Sequence, residues 1–384
     1  MKFGASKFDI KNIFQDKRQL IVQITCLFWI FTKFFSYNLW HADRLYPLVP
    51  PFDFLDDIPN FVHLGLFWVA IIGMALIIFK PNKYLILFTL LVEFCSCILD
   101  QNRWQPYEYQ YFITLVFFFC YRNNSKQFIN YFSFLIAVIY LHSGLHKLTG
   151  AFLYSVWENM ILHRFFGLEH HAINNLLIHY SGLSLGLIEF ISAIGLLFFK
   201  RRKVFALLLI GMHIFILLLI SPTGLNYNSI VWPWNIIMIL FLFILFYKEN
   251  GNDISFPDLL KGYNKIHFVY LGTLPFFCMI GWYDNFLSFN LYSGTLKKLE
   301  ICIENEEKAT EYKPFFSEHS KYCKQQKAIK VNNWSLQEMN IITYPEERFL
   351  LGIIEKFKAR NPDIKATFYI YQYPYGPEDK KQYK

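Results

Sequence analysis

The sequence predicts an all-α polytopic membrane bundle of about nine transmembrane helices over residues 1–282, closed by a small extracytoplasmic α+β domain over residues 283–384. Three observations predict it. The chain of 384 residues is 54% hydrophobic and 20% aromatic, with a mean hydropathy of +0.27, too apolar for soluble domains of this length. Long apolar runs with few charges recur from Leu20 to Trp282, and then hydropathy falls. Lys and Arg alternate between dense and sparse loops along those runs, the asymmetry that orients membrane proteins.

The runs are Leu20–Trp40, Val62–Phe79, Tyr84–Leu99, Tyr107–Tyr121, Phe128–Leu145, Leu183–Phe199, Val204–Ile220, Ile230–Tyr247 and Ile266–Trp282. Each approaches the roughly 20 residues that cross a hydrocarbon core about 30 Å thick, the fourth being the shortest. With a cytoplasmic N-terminus (Lys2, Lys7, Lys11, Lys17, Arg18), the basic loops Lys80/Lys83, Arg122/Lys126, Lys200–Lys203 and Lys248/Lys261/Lys265 all fall inside. The opposite loops carry only Arg44, Arg103 and Arg164, and an odd number of spans exports the C-terminal domain. Met1–Arg18 runs into the first span without a small-residue cleavage site, so that helix is the expected targeting signal. The formal charge of +8 then follows from membrane orientation and a Lys-rich tail, and no nucleic-acid partner is expected. In a bacterium the location is the inner membrane, multi-pass, with the last domain periplasmic or extracellular.

Beyond Trp282, Thr295–Glu304 and Ala366–Gln372 read as strands, and Ser335–Met339 and Tyr344–Arg360 as helices, the second with Phe349, Leu350, Ile353, Ile354 and Phe357 on one face. Trp334 reads as a buried core residue and Pro345 as the opening of a helix. The tail Pro377–Lys384 reads as frayed. The seven cysteines show no paired CxxC spacing, and no metal is expected; Cys302 and Cys323 share the exported domain, so an oxidising compartment would permit a disulfide between them.

Ionisable groups inside membrane helices cost a few kcal/mol or more, so they mark candidate sites, against the alternatives of snorkelling and helix-to-helix bonding. Four places stand out. Asp100 to Glu108 includes Trp104 and Tyr107; its simplest reading is an interfacial loop in which Asp100 pairs with Arg103. At the outer end of the fifth run, His142 and His146 share a helix face, Gly144 permits close backbone approach, and Lys147 is either an anchor or a base beside apolar rings. Two histidines at that spacing could also hold a metal, but no third ligand is specified. Glu189 lies just inside the sixth run. His213 lies mid-span in the seventh, where a neutral histidine bonded to a neighbouring helix is the plain alternative, followed by Asn226, Asn228, Trp232, Pro233 and Trp234.

Taken in order, these residues resemble the integral-membrane domain of vitamin K-dependent gamma-carboxylases and their bacterial relatives, the horizontally transferred transmembrane (HTTM) domain proteins. The resemblance runs from about Asp100 to Phe246. Gly144-Leu145-His146-Lys147-Leu148 is similar to the family's Gly-x-Lys-Lys-Leu, Leu187-Ile188-Glu189-Phe190 to its span beginning Leu-Leu-Asp, and His213 with Gly224–Trp234 to its histidine helix and Phe-Pro-Tyr turn. The family's Asn-Asn-His stands here as Gln105-Pro106-Tyr107. The resemblance implies an outer-facing pocket in which Lys147, Glu189, His213 and Tyr107 act catalytically, His142, His146, Trp104, Asn228 and Trp234 contact a quinone or hydroquinone, and Lys147 deprotonates the reduced quinone. On this reading the protein supports quinone-linked redox or carboxylation chemistry, of lyase or oxidoreductase type, on an extracytoplasmic substrate. The alternative is a non-catalytic accessory subunit of a cell-envelope complex, acting on a protein or peptide partner through its exported domain.

Overall fold

The computed structural model describes residues 16–169, 175–247, 254–376 and 378–383. Lys2, Lys7, Lys11 and Lys248, used above for orientation, lie outside them.

The chain is mostly helical. Its helical part begins with α1 (Lys17–Phe35), α2 (Asn60–Phe79), α3 (Lys83–Ile98), α4 (Pro106–Tyr121) and α5 (Ser125–Lys147). Side-chain caps start several of them: Asp16 accepts from Arg18 N, Asn82 from Tyr84 N and Asn124 from Gln127 N, each satisfying a first-turn donor. A π-helical segment, Leu153–Phe165, follows. Then come α6 (Leu183–Phe198), extended backwards by a short turn at Leu176–Ser181, α7 (Arg202–Ile220) and α8 (Val231–Phe246).

Four helices, Asn60–Phe79, Ser125–Lys147, Leu176–Phe198 and Arg202–Ile220, are long and apolar enough to cross a membrane, and Val231–Phe246 is a shorter apolar helix. A count of nine spans is not supported. α3 and α4 have 16 residues each, about 24 Å of helix, and the last run is not one helix. It forms an α-turn at Lys265–Phe268, π turns at Val269–Thr273 and a 3-10 stretch at Leu274–Ile280, where Pro275 removes the N–H that a continuous helix would need. Ile72 and Leu76 on α2 and Leu208 and Leu218 on α7 are exposed, as lipid-facing positions would be.

α5 is the hub of the bundle, with 83% of its apolar window buried against 28% for α7. It packs most extensively on α6. Glycine makes that approach close: a methyl group at Gly144 would lie 2.6 Å from Phe190 N and 2.9 Å from Gly186 O.

The C-terminal part is a five-stranded antiparallel sheet of order β2-β3-β1-β4-β5, with β1 at Lys298–Ile303, β2 at Phe316–Ser317, β3 at Lys327–Lys330, β4 at Ala366–Tyr371 and β5 at Lys380–Tyr383. Ile301 faces Ile329 on one side and Phe368 on the other, and the helices α9 (Val331–Met339) and α10 (Glu347–Arg360) bury Trp334, Phe349, Ile353 and Phe357 against them. Two expectations about this part change. The tail expected to fray supplies β5, whose Tyr383 pairs with Phe368, because Lys380–Tyr383 finds a free edge of β4. Strands β2 and β3 are additional, too short to show an alternating pattern. Cys302 and Cys323 form a disulfide.

The sheet part rests on the bundle through directed polar contacts. Glu338 accepts from Leu45 N (2.7 Å), Tyr46 N (2.9 Å) and Trp334 Nε1 (2.8 Å). Asn102 Oδ1 accepts from Tyr344 N at 2.8 Å, Gln105 donates to Ile342 O at 3.0 Å, and Ser229 meets Asn340. The loops before α2, before α4 and before α8 therefore lie at one end of the bundle.

Candidate functional site

A cavity of about 120 Å³ opens among α5, the π-helical segment, α6, α7 and α8. Its lining is almost wholly apolar, with Phe152, Met160, Leu185, Phe215, Ile216 and Met238 among the walls. Two polar couples interrupt that surface.

The first comes from α5 and α6. Ser143 and Lys147 are four residues apart and so share the face of α5 that points at the cavity, one turn apart. Lys147 Nζ donates to both carboxylate oxygens of Glu189, at 2.7 and 2.6 Å, and to Ser143 Oγ at 2.7 Å. All three of its N–H directions are taken, and the side chains are 13% and 5% exposed. An ammonium saturated in this way is a fixed positive charge at the cavity wall, with a carboxylate as its counter-ion.

The second couple joins three helices. The Tyr140 hydroxyl lies 2.6 Å from His213 Nε2, and His213 Nδ1 lies 2.7 Å from Asn235 Oδ1. Asn235 Nδ2 in turn donates to Val231 O at 2.8 Å, which leaves its oxygen as the acceptor facing His213. His213 therefore carries its proton on Nδ1 and presents Nε2 as acceptor to Tyr140. The arrangement is a tyrosine–histidine–asparagine chain of hydrogen bonds at the cavity wall.

The sequence-predicted residues divide accordingly. Lys147, Glu189, His213 and Trp234 meet in this cavity, Trp234 holding its place through Nε1 to Gln110 Oε1 at 2.6 Å. Asn228 stands one step behind, donating at 2.5 Å to the hydroxyl of Tyr292, which lines the cavity. The others do not reach it. His142 and His146 occupy helix positions about 100° round from Ser143 and Lys147. His142 Nε2 lies 3.2 Å from Leu271 O and its ring lies against Phe276. Tyr107 is buried behind Trp234, with ring centroids 6.4 Å apart and no hydrogen-bond partner for its hydroxyl. Trp104 stacks on Tyr109 at 4.9 Å, at the rim of α4. Asp100 pairs with Arg44 rather than Arg103. Arg103 instead donates to Ser96 O at 2.7 Å and contacts His63 Nδ1 at 2.8 Å, because its long side chain turns back toward α2 and α3.

Sequence reasoning missed Tyr140, Ser143 and Asn235. The available signal was the run of hydroxyls at Tyr140 and Ser143 leading to Lys147, and Asn235 one turn beyond Val231. A second polar cluster also went unread. Lys33 Nζ is 2.5 Å from Glu93 Oε1, Trp29 Nε1 donates to Glu108 at 2.8 and 2.9 Å, and Cys97 Sγ sits 3.8 Å from Oε1 of both glutamates. Glu93, Cys97 and Glu108 are spaced as three metal ligands could be, but Lys33 already supplies a cation there.

Comparison of the chain with protein-family models, with curated proteins and with solved structures gives no match.

Proposed function

We propose that this is a multi-pass membrane enzyme of carboxylase-like type that carries out proton-coupled, quinone-linked chemistry in the cavity between α5 and α8. One observation carries the reading: an apolar chamber borders a fixed ammonium–carboxylate pair and a separate tyrosine–histidine relay. A flat apolar ring with oxygen substituents suits such walls, since few, well-placed polar groups fix orientation and apolar surface supplies affinity. His213 accepts a proton through Tyr140, and Lys147, whose three N–H donors are already engaged and which therefore does not act as the base, supplies only its positive charge beside the ligand oxygen. When bound, the quinone supplies the redox change, from which the resemblance draws oxidation or carboxylation of an extracytoplasmic substrate.

The same proposal places the N-terminus inside and the sheet domain outside the cytoplasmic membrane. In its favour, the loops that touch the sheet domain are the ones poor in Lys and Arg, and α7 runs from the basic Lys200–Lys203 stretch toward Ser229, which meets Asn340.

The test is to purify the full chain in mild detergent and identify co-purifying small molecules and proteins by mass spectrometry, for wild type, Lys147→Ala and His213→Gln. A quinone retained by wild type and lost from variants that elute as wild type does supports the proposal. A stoichiometric protein partner retained by all three, with no quinone, replaces it with the accessory-subunit reading.

A further inference from the structure

A larger chamber, of about 340 Å³, lies where the π-helical segment meets the sheet domain. Its character is the opposite of the first. Arg164, Lys297, Lys298 and Lys330 line it, together with Asn159, Asn332, Asn333 and Tyr371, and no Asp or Glu does so among the described residues. Two carboxylates stand close by, each engaged by a residue of the lining. Glu347 takes Lys297 at 2.8 Å and Lys381 at 2.5 Å. Glu300, opposite Lys330 in the sheet, accepts from Ser320 Oγ at 2.6 Å and the Tyr371 hydroxyl at 2.9 Å. Among the described residues, Lys298 donates to the uncharged hydroxyl of Tyr375, at 3.3 Å. Positive charge thus exceeds negative charge around a concave surface whose walls are partly low in dielectric, a setting that concentrates anions.

The two chambers share walls: Val156, Met160 and Tyr292 line both. The winding of the π-helical segment allows this, since Val156, Met160 and Ile161 reach the apolar chamber while Ser155, Asn159 and Arg164 reach only the basic one. Tyr292 stands between them with a left-handed backbone (φ 55°), fixed by its hydroxyl bond to Asn228.

We infer that the chamber lined by Arg164, Lys298 and Lys330 is a binding site for a phosphate group, either as free phosphate or as the headgroup of a lipid whose apolar part reaches past Tyr292. A phosphate is favoured over a single carboxylate because it offers up to two charges and several oxygens to three separately rooted cations and the amide donors between them. The site stands on its own charge pattern and does not depend on the chemistry proposed for the apolar cavity.

The test uses the full chain in mild detergent and follows thermal unfolding by tryptophan fluorescence at constant ionic strength. Sodium phosphate is one probe, and phosphatidic acid in mixed micelles is the other, with phosphatidylcholine as the neutral-headgroup comparison. The inference expects Tm to rise with at least one phosphate probe. It also expects Lys298→Gln/Lys330→Gln to raise the half-saturating concentration by at least about tenfold, as loss of two charge-assisted contacts would. Lys308→Gln/Lys313→Gln, which removes the same charge outside the chamber, leaves the response unchanged. Arg164→Gln, at an exposed position, gives a second reading should the double variant fold poorly. A response to phosphatidic acid alone assigns a lipid headgroup, and a response to inorganic phosphate assigns a soluble ligand. No response to either probe, or a response equal in all variants, overturns the inference. Quinone retention in the Lys147 variant reads out the other chamber, so the two proposals fail separately.

Discussion

Two lysine–glutamate pairs join neighbouring helices in this bundle, and they differ in what surrounds them. Lys33 and Glu93 are both fully buried, with Lys33 Nζ 3.1 Å from the centre of the Trp40 ring. The second oxygen of Glu93 has no hydrogen-bond partner, and neither residue lines one of the described chambers. Lys147 and Glu189 are bonded through both carboxylate oxygens and border a cavity. The first pair is sealed by protein on every side and locks α1 to α3. The second has the same chemistry with one side left open, and that open side is what makes it a candidate site. The residue types alone do not separate a structural ion pair from a functional one; the space beside them does.

The largest expected effect tests the sealed pair. Lys33→Met leaves Glu93 without its cation in a dry interior and is expected to cost about 3–5 kcal/mol, while Lys33→Met/Glu93→Met recovers most of that loss. Denaturation in mixed detergent micelles measures both, and a double variant as unstable as the single would break the account of a locking pair. Lys147→Met is expected to cost less, about 1–3 kcal/mol, because Glu189 can recruit water from the cavity. Equal losses for the two lysines would remove the distinction between sealed and open pairs.

Tyr140→Phe sharpens the open side further. It deletes one hydroxyl, so a stability change of about 1 kcal/mol is expected, with a much larger loss of quinone retention if the relay works as proposed. A change in stability with undiminished retention would separate Tyr140 from ligand binding.

The smallest effect belongs to a third pair, outside the bundle and partly in solvent. Burial alone would raise the Asp284 carboxyl, but the hydrogen bonds from Arg348 and Tyr344 outweigh it and hold it below its ordinary value of 3.8. A depressed carboxylate contributes fully above its unfolded value and loses that contribution as the pH falls through its folded value. Asp284→Asn should therefore flatten the acid limb of Tm against pH below about pH 4, by about 1 kcal/mol or less given that Arg348 is half exposed. An unchanged acid limb would show that the pair contributes nothing measurable.

Much of the candidate site was legible because charge is conspicuous in apolar sequence. Glu189 and His213 interrupt hydrophobic runs and Lys147 stands two residues past the end of one, and they converge. Tyr140, Ser143 and Asn235 were less legible, since hydroxyl and amide side chains are ordinary in such helices and gain meaning only when a histidine or lysine on another helix meets them. Lys33 and Glu93 carried the same signal from well inside their runs and were passed over, while Glu108 stood at the start of its run, where a charge reads as interfacial. Their helices pack so that all three are interior. His142 and His146 show the reverse: the spacing correctly placed them on one face of α5, but that face turns toward Leu271 and Phe276.

The sequence by itself determined the membrane-suited helical character, the change to a sheet-bearing part after Trp282, the burial of Trp334 and the helix face of α10, because apolar periodicity and composition are local properties of the chain. It also determined the close approach at Gly144, since only a residue without Cβ admits a neighbouring backbone there. The tertiary structure alone decided which ionisable groups share a cavity, that Asp100 takes Arg44, that the tail closes the sheet as β5, and that a basic chamber abuts an apolar one. Those outcomes depend on distances between segments far apart in sequence, set by helix rotation and packing, and no local pattern encodes them.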